Sequence, residues 1–321
     1  MSLSDRGKGV VLVAISAFAF GSTPIWGKIA LSSGLNIETL LAFRLALASF
    51  LLWVAMLASG YRPMVAHREL ARLFLLATLG FGITAFCFFT ALLHIPASLT
   101  QMVFFSSYPT LATLLSAWIL REPLGIRKMT ALVVVVAGGI LLVGSSGREW
   151  NKLWLLLPLG AGMAYSLYLV LGTKLLDRYP PRVVSLWVIT FGALQFGLYG
   201  LFRGRLSLAL APSSWFLIGV MALLCTVVSV LSFFAGLERI GASRAAIVST
   251  LEPVFTLFLA ALFLGERLIY PQLLGAGAVV AGILLLQWEK AGYRAGRRWL
   301  AGAAVGQGQD RGRGKGCVAG R

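Results

Sequence analysis

The chain has 321 residues, of which 59% are hydrophobic and only 12% are charged, and its formal net charge is +17. Soluble domains carry about 25% charged residues, so this composition excludes a water-soluble fold and requires a lipid environment. The basic residues are spread over many short segments instead of gathering on one soluble face, which argues against a nucleic-acid partner.

Ten apolar stretches follow one another along the chain, each of about 18–23 residues and long enough to cross ~30 Å of hydrocarbon as a helix. They lie at residues 9–29, 37–59, 70–91, 98–120, 127–145, 152–172, 183–202, 214–236, 243–265 and 270–288. The sequence therefore predicts an all-α integral membrane protein with ten transmembrane helices.

Lysine and arginine set the expected orientation, because cytoplasmic loops of membrane proteins are enriched in them. With the N-terminus in the cytoplasm, the predicted inside loops hold thirteen basic residues and the outside segments hold six. We therefore expect a multi-pass protein of the plasma membrane with both termini in the cytoplasm. Residues 289–321 contain few bulky apolar groups and are predicted to form a disordered, basic cytoplasmic tail.

The chain also repeats itself. An Ala-Ser pair, a proline in the following apolar run and a glutamate at its end occur at Ala97-Ser98, Pro109 and Glu122, and again at Ala242-Ser243, Pro253 and Glu266. Five spans per copy turn the second copy upside down, so the sequence predicts two inverted five-helix repeats, residues 1–146 and 147–288. Inverted repeats are typical of secondary transporters that bind their substrate near mid-membrane.

In the first span, Pro24 predicts a break in the helix. Ser22 and Thr23 precede this proline and Trp26 follows it. Broken helices expose backbone dipoles and mark binding sites in inverted-repeat transporters, and Trp26 would add an aromatic wall. The alternative is a packing kink whose freed backbone groups are satisfied by the two hydroxyls.

Two charged side chains are predicted inside the membrane. Arg44 in the second span is expected to attract a substrate carboxylate or to pair with an acid such as Glu252, and snorkelling to the outer interface is the alternative. Glu252 is the one acid expected near mid-membrane, beside the helix kink predicted at Pro253, where it suits a proton or cation relay. Local capping of the bend is the alternative for Glu252. Pro109 is the matching kink of the first copy.

Polar and aromatic residues in the later spans are candidates for the wall of a substrate cavity. They are Gln101, Tyr108, Tyr165, Tyr168, Trp187, Ser229 and Ser249. For each residue singly, helix packing or anchoring at the membrane interface competes with this interpretation. Glu122 and Glu266, at span ends, are interpreted as gate or structural salt bridges, Glu266 with Arg267 and Glu122 with Arg121 or Arg127.

These features resemble the EamA family of the drug/metabolite transporter superfamily over about residues 8–288. The resemblance is carried by Phe43-Arg44, Leu251-Glu252-Pro253, Gly265-Glu266-Arg267-Leu268 and the segment from Gly21 to Lys28. The first copy departs from the pattern, since Tyr108 stands where the second copy has Glu252. The resemblance implies export of a small metabolite from the cytoplasm and does not name the metabolite.

The expected function is therefore secondary-active export of a small metabolite, an amino acid or a related amphiphile, across the cytoplasmic membrane by alternating access. Proton coupling is a hypothesis that rests mainly on Glu252, and export of lipophilic cations or drugs is the alternative. The sequence contains no HExxH, GxSxG or Walker A motif and no filter sequence, so an enzyme, an ATP-driven pump or a channel is not expected. The expected partners are a small-molecule substrate and the lipid bilayer, and no metal or other cofactor is predicted. No signal for an oligomeric state was found in the sequence.

Overall fold

The computed structural model describes residues 5–61, 63–119, 125–144, 151–176, 178–267 and 269–286. In these ranges the chain forms helices and no strand. Nine of the helices are long and apolar enough to cross a membrane, and a shorter apolar helix follows them. Spans 1 to 10 are, in chain order, Asp5–Ser32, Ile37–Ala58, His67–His94, Ala97–Ile119, Ile126–Gly144, Lys152–Thr173, Pro181–Phe202, Pro212–Ile240, Arg244–Leu264 and Tyr270–Leu286. The ten predicted spans are confirmed.

Span 2 is apolar on every face, because one side packs against other helices and the opposite side meets lipid. In span 2, Leu40, Leu41 and Leu45 are completely buried, whereas Phe50 and Leu57 on the same helix are more than half exposed. Exposed aromatic and leucine side chains are therefore the expected lipid-facing surface of this helix.

The helix ends carry the residues that ordinarily start and stop helices. The Asn36 side chain accepts a hydrogen bond of 2.7 Å from the Thr39 amide at the start of span 2. Spans 7 and 8 begin with Pro181 and Pro212, whose missing N–H is not needed in a first helical turn. Span 9 ends at Gly265 in the left-handed conformation, with φ of 62°.

Among the described residues, four spans depart from regular α-helix in their interior. Span 1 is broken at Ser22, between the helices Asp5–Gly21 and Thr23–Ser32, and span 9 is broken at Thr250, between Ala242–Ser249 and Leu251–Leu264. Spans 3 and 8 each contain a π-helical turn, at Ala77–Gly82 and Leu223–Val228. Such turns bend helices and occur often at functional sites.

Helix packing follows the inverted repeat. Span 1 packs against spans 8 and 9, span 6 packs against spans 3 and 4, and spans 2 and 7 pack against each other. In the inverted repeat, span 1 corresponds to span 6, span 3 to span 8 and span 4 to span 9. The contacts of span 1 with spans 8 and 9 therefore correspond to those of span 6 with spans 3 and 4. Spans 5 and 10 cross closely, since a Cβ built on Gly275 would lie 2.7 Å from the Gly138 carbonyl oxygen.

Three sequence predictions lie outside the described residues. They are the tail at residues 289–321, the salt bridge of Glu122, and the junction of the two copies at residues 146 and 147.

A candidate substrate cavity

Spans 1 to 4 and 6 to 9 enclose a cavity of about 300 Å³. Spans 5 and 10 contribute no lining residue in the part of the chain that the structure describes. This volume is at the lower end of the range of about 300–1,000 Å³ found for small-molecule pockets. Aromatic residues are the largest group in the described wall, and single polar groups are placed at separate points on it.

The acid of the cavity is Glu252, in the first turn of the helix Leu251–Leu264. Its carboxylate accepts a hydrogen bond of 3.1 Å from the Gln101 side chain of span 4. Gln101 is buried and also lines the cavity. Glu252 is therefore held toward the cavity by a partner from the opposite copy.

An aromatic wall lies next to this acid. The Tyr108 and Tyr165 rings meet edge to face, with centroids 5.1 Å apart, and Tyr165 stacks on Tyr168 at 5.6 Å. Phe104 joins the group 5.6 Å from Tyr165. These distances are those of favourable aromatic pairs, so the wall is a packed cluster that offers ring faces and hydroxyls to a ligand.

The basic side of the cavity is formed by Arg44 of span 2. Its residue exposure is 7%, and its guanidinium carbon lies 4.9 Å from the centroid of the Phe89 ring. Arg44 therefore does not snorkel to the membrane interface. Its Nε and Nη1 atoms are buried without a hydrogen-bond partner among the described residues.

The breaks of spans 1 and 9 meet beside the cavity. A Cβ built on Gly21 would lie 2.6 Å from the Glu252 carbonyl oxygen, so only glycine allows this approach. The Thr256 hydroxyl donates a hydrogen bond of 2.7 Å to the Gly21 carbonyl oxygen, which the break leaves free. Crossed discontinuous helices of this kind surround the central sites of inverted-repeat transporters.

Of the residues predicted around Pro24, the structure brings only Thr23 to the cavity wall. The Ser22 hydroxyl donates 2.7 Å to the Ala19 carbonyl oxygen and so satisfies the break locally. Pro24 is buried in the first turn of the second half-helix. Trp26 packs against the main hydrophobic core instead of forming an aromatic wall of the cavity.

Three further candidates also lie away from the cavity wall. The Trp187 indole N–H donates a hydrogen bond of 3.0 Å to the carbonyl oxygen of Pro63, in the connection between spans 2 and 3. The hydroxyls of Ser229 and Ser249 each donate 2.9 Å to a carbonyl oxygen four residues earlier in their own helices. These side chains satisfy backbone groups, which is the packing role that competed with a cavity role.

Glu266 has a different partner from the predicted Arg267. Its carboxylate accepts hydrogen bonds from the backbone amides of Ala97 at 2.7 Å and Ser98 at 3.0 Å, and from the Ser98 hydroxyl. It therefore caps the N-terminus of span 4, where free amides and the helix dipole favour a negative charge. The repeat pattern places Ala97-Ser98 in the first copy together with Glu122, and Glu266 in the second copy. A contact between Glu266 and Ala97-Ser98 could therefore not be predicted from that pattern.

The same end of the molecule is closed by further contacts. The Lys28 ammonium donates to the carbonyl oxygens of Leu92 and Ile95, and the His94 ring stacks on Trp154 with centroids 3.5 Å apart. The connection between spans 3 and 4 is thus tied to spans 1, 6 and 9.

Several lining residues were missed by the sequence analysis. Span 3 contributes Phe81, Thr84 and Phe89, and span 8 contributes Cys225 and Thr226. These residues lie in or near the two π-helical turns, which rotate the following residues relative to a regular helix. An apolar span gives no sequence signal for such a turn.

A larger recess of about 600 Å³ lies along the N-terminal half of span 3, next to the candidate substrate cavity. Tyr168 lines both cavities. The walls of the recess include Leu75, Leu79 and Leu171, which are more than half exposed. This recess therefore opens toward the lipid-facing surface.

Comparison with known sequences agrees with this arrangement. The sequence model of the EamA-like transporter family matches residues 7–144 and again residues 152–288. The chain belongs to the EamA-like transporter family. It is therefore a multi-pass membrane transporter built from inverted repeats, as its spans and their packing indicate.

Individual relatives are distant in sequence. "Uncharacterized transporter YcbK" of Bacillus subtilis (strain 168) is 28% identical over 90% of this chain and 95% of that protein. A "Probable amino-acid metabolite efflux pump" of Salmonella typhimurium is 28% identical over 65% of this chain and 73% of that protein. A solved crystal structure superposes with a TM-score of 0.60, covering 85% of this chain and 96% of that one at 16% identity, which shows the fold alone.

Proposed function

We propose that this EamA-family protein is a secondary-active exporter of a small amphiphilic metabolite, an amino acid or a close relative, across the cytoplasmic membrane. The observation that carries the proposal is the central cavity, where one acid and one base face an aromatic wall. Aromatic rings suit an apolar body, and separated charged groups suit the ends of an amino acid. The printed name of the Salmonella relative agrees with this substrate class.

The proposed mechanism is alternating access by two units, residues 1–146 and 147–288. The cavity is lined from both units, and Glu252 reaches across to Gln101. Rocking of one unit against the other would carry the cavity contents from one side of the membrane to the other. The distribution of basic residues supports cytoplasmic termini, which would make the end capped by Glu266 external.

We assign coupling to Glu252 as the proton carrier. A carboxyl at this depth is costly as a free charge, so gaining and losing a proton as the cavity opens to either side is a physical route to coupling. Export would then be driven by protons that enter as substrate leaves.

A second candidate substrate class is lipophilic cations, because Glu252 lines the same cavity as the tyrosine rings of the aromatic wall. A cation would use the acid and the ring faces and would not require Arg44.

The test is counterflow in proteoliposomes that hold the full chain and are preloaded with a mixed metabolite pool. Labelled tryptophan, threonine and a lipophilic cation serve as reporters, each with and without a pH gradient. Accumulation of an amino acid that depends on the preloaded pool supports the proposal. Accumulation of the cation alone selects the second candidate, and no accumulation of any reporter contradicts both.

A further inference from the structure

Arg44 is the one basic side chain in the described lining of the cavity, and it has no anionic partner there. The ion pairs formed among the described residues join other arginines to Glu38, Glu69 and Glu238 at span ends. A guanidinium taken out of water without a counter-charge is strongly disfavoured. Its placement therefore requires compensation from the surroundings of the cavity.

Phe89 provides part of that compensation. The ring lies 4.9 Å from the guanidinium carbon and attracts the positive charge through its face. The Nε and Nη1 atoms of Arg44 remain without hydrogen-bond acceptors among the described residues. The Phe89 ring therefore stabilises the positive charge of Arg44 and leaves the N–H groups of the guanidinium available to donate hydrogen bonds.

Glu252 does not serve as the counter-ion. It lines the same cavity, but its carboxylate is hydrogen-bonded to Gln101 and forms no ion pair with Arg44. The acid and the base of the cavity are thus separate groups, each open to a different part of a bound molecule.

Thr23 adds a second donor on the basic side. Its hydroxyl is buried beside the Cys225 thiol, a weak hydrogen-bonding group, and meets no oxygen or nitrogen partner among the described residues. Thr23, Arg44 and Cys225 all line the cavity. A hydroxyl beside a guanidinium matches the two oxygens of a carboxylate, because both groups donate and a carboxylate only accepts.

We propose that Arg44 and Thr23 form a carboxylate-binding subsite, so that the transported molecule is a carboxylate-bearing amphiphile. The apolar body of that molecule lies against the tyrosine wall, and an amine, where present, faces Glu252. This inference rests on the proposed function and deepens it, since it selects amino acids over lipophilic cations.

A binding experiment tests the subsite without requiring transport. The melting temperature of the purified full chain is measured with indole-3-propionate and with its amide, which share a body and differ in the carboxylate. We expect the carboxylate to stabilise the wild type and the amide to have at least a tenfold weaker apparent affinity. Arg44→Gln should abolish the difference, Arg44→Lys should restore part of it, and Thr23→Val should weaken carboxylate binding several-fold.

The matched control is Arg203→Gln, which removes an exposed arginine outside the cavity and should leave the preference unchanged. If Arg44 only supports the fold, Arg44→Gln will lower the melting temperature without ligand and leave the ratio of the two affinities as in the wild type. Equal affinities of the wild type for both compounds, or no stabilisation by either, also overturn the subsite.

Counterflow of leucine and leucinamide separates this inference from the proposed function. Transport of leucine and not of leucinamide by the wild type, lost in Arg44→Gln, supports both. Equal transport of both compounds keeps the exporter and overturns the subsite. Carboxylate-selective binding without counterflow of any amino acid keeps the subsite and contradicts the proposed function.

Discussion

Two helix crossings beside the cavity occupy matching places in the inverted repeat and differ in structure. Where span 6 crosses span 4, both helices are continuous, and the Ser166 hydroxyl donates 2.8 Å to the Tyr108 carbonyl oxygen. Where span 1 crosses span 9, both helices are broken, and the Glu252 carbonyl oxygen lies against Gly21. Both crossings follow from the duplicated fold, whereas the break in the helices occurs at only one of them and therefore depends on the local sequence.

Proline alone does not explain the difference. Pro109 and Pro253 follow Tyr108 and Glu252 directly, yet span 4 runs through Pro109 without interruption. Span 9 breaks at Thr250, before Pro253, at the point where it meets the break in span 1. The acid is therefore found at the irregular crossing, where the regular helical hydrogen bonding is interrupted.

The largest effect is expected from changing Glu252, the residue that stands at the broken crossing where the continuous crossing has Tyr108. Glu252→Gln keeps the shape of the side chain and removes its titratable proton. If Glu252 couples transport, a pH gradient should no longer accelerate the export that remains. Tyr108→Phe, the matched control, should keep its gradient dependence. A full gradient response in Glu252→Gln contradicts the assignment.

The next largest effect is expected at the contact of the broken crossing. Gly21→Ala forces a methyl group against the Glu252 carbonyl oxygen, which lies 2.6 Å from the new Cβ position. We expect a loss of about 3 kcal/mol in stability, measured by denaturation in detergent, together with loss of transport. Gly160→Ala on span 6, where nothing lies within 4 Å, should be neutral or slightly stabilising. Equal effects of the two variants would show that the close approach is not needed.

A third prediction concerns the cap that links the copies. Glu266→Gln weakens the charged hydrogen bonds to the amides of Ala97 and Ser98, and should cost about 2 kcal/mol. The control is Glu238→Gln, whose exposed ion pair with Arg182 at 3.5 Å should contribute about 0–1 kcal/mol. Thermal denaturation of the two variants measures the difference, and a cost at Glu266 no larger than at Glu238 argues against the cap.

The smallest difference in stability is expected between variants that remove the Thr256 hydroxyl at the broken crossing and the Ser166 hydroxyl at the continuous crossing. Thr256→Val leaves the Gly21 carbonyl oxygen unpaired, because Pro24 has no N–H and the Ile25 N–H bonds to Ser22 instead. This variant should cost about 1.5 kcal/mol. Ser166→Ala should cost about 0.5–1 kcal/mol, since a carbonyl in a continuous helix retains its backbone partner. Chemical denaturation of both variants checks the order, and a larger cost at Ser166 would reverse the comparison.

Much of the fold could be predicted from the sequence, because span length and apolar composition depend on the bilayer and not on tertiary detail. A break near Pro24 could also be predicted, since proline removes a helix donor. The same reasoning does not separate Pro253, near which span 9 breaks, from Pro109, through which span 4 is continuous. The π-helical turns of spans 3 and 8 could not, because an apolar helix contains no residue that forces them.

The cavity could be predicted in part. Residues whose chemistry is unusual inside a membrane, such as Arg44, Gln101 and Glu252, do line it. Serine and tryptophan are ordinary packing residues there, and Ser229 and Trp187 turned out to satisfy backbone carbonyls instead. The rotation of each helix about its axis decides which face meets the cavity, and helices apolar on all sides do not encode that rotation in their pattern.

If the cavity opens alternately to the two sides of the membrane, as proposed, a residue in its wall can be reached from both sides, and the cysteines of the chain allow a direct test. Cys225 lines the cavity and is 2% exposed, whereas Cys87 lies outside the described lining. A variant that retains only Cys225, with Cys87→Ala and Cys317→Ala, would be treated with a membrane-impermeant thiol reagent in right-side-out and in inverted vesicles. Alternating access predicts labelling of Cys225 from both sides, slowed by transported substrate, and little labelling of a variant that retains only Cys87. Labelling of Cys225 from one side alone, or labelling that no substrate slows, would contradict the account.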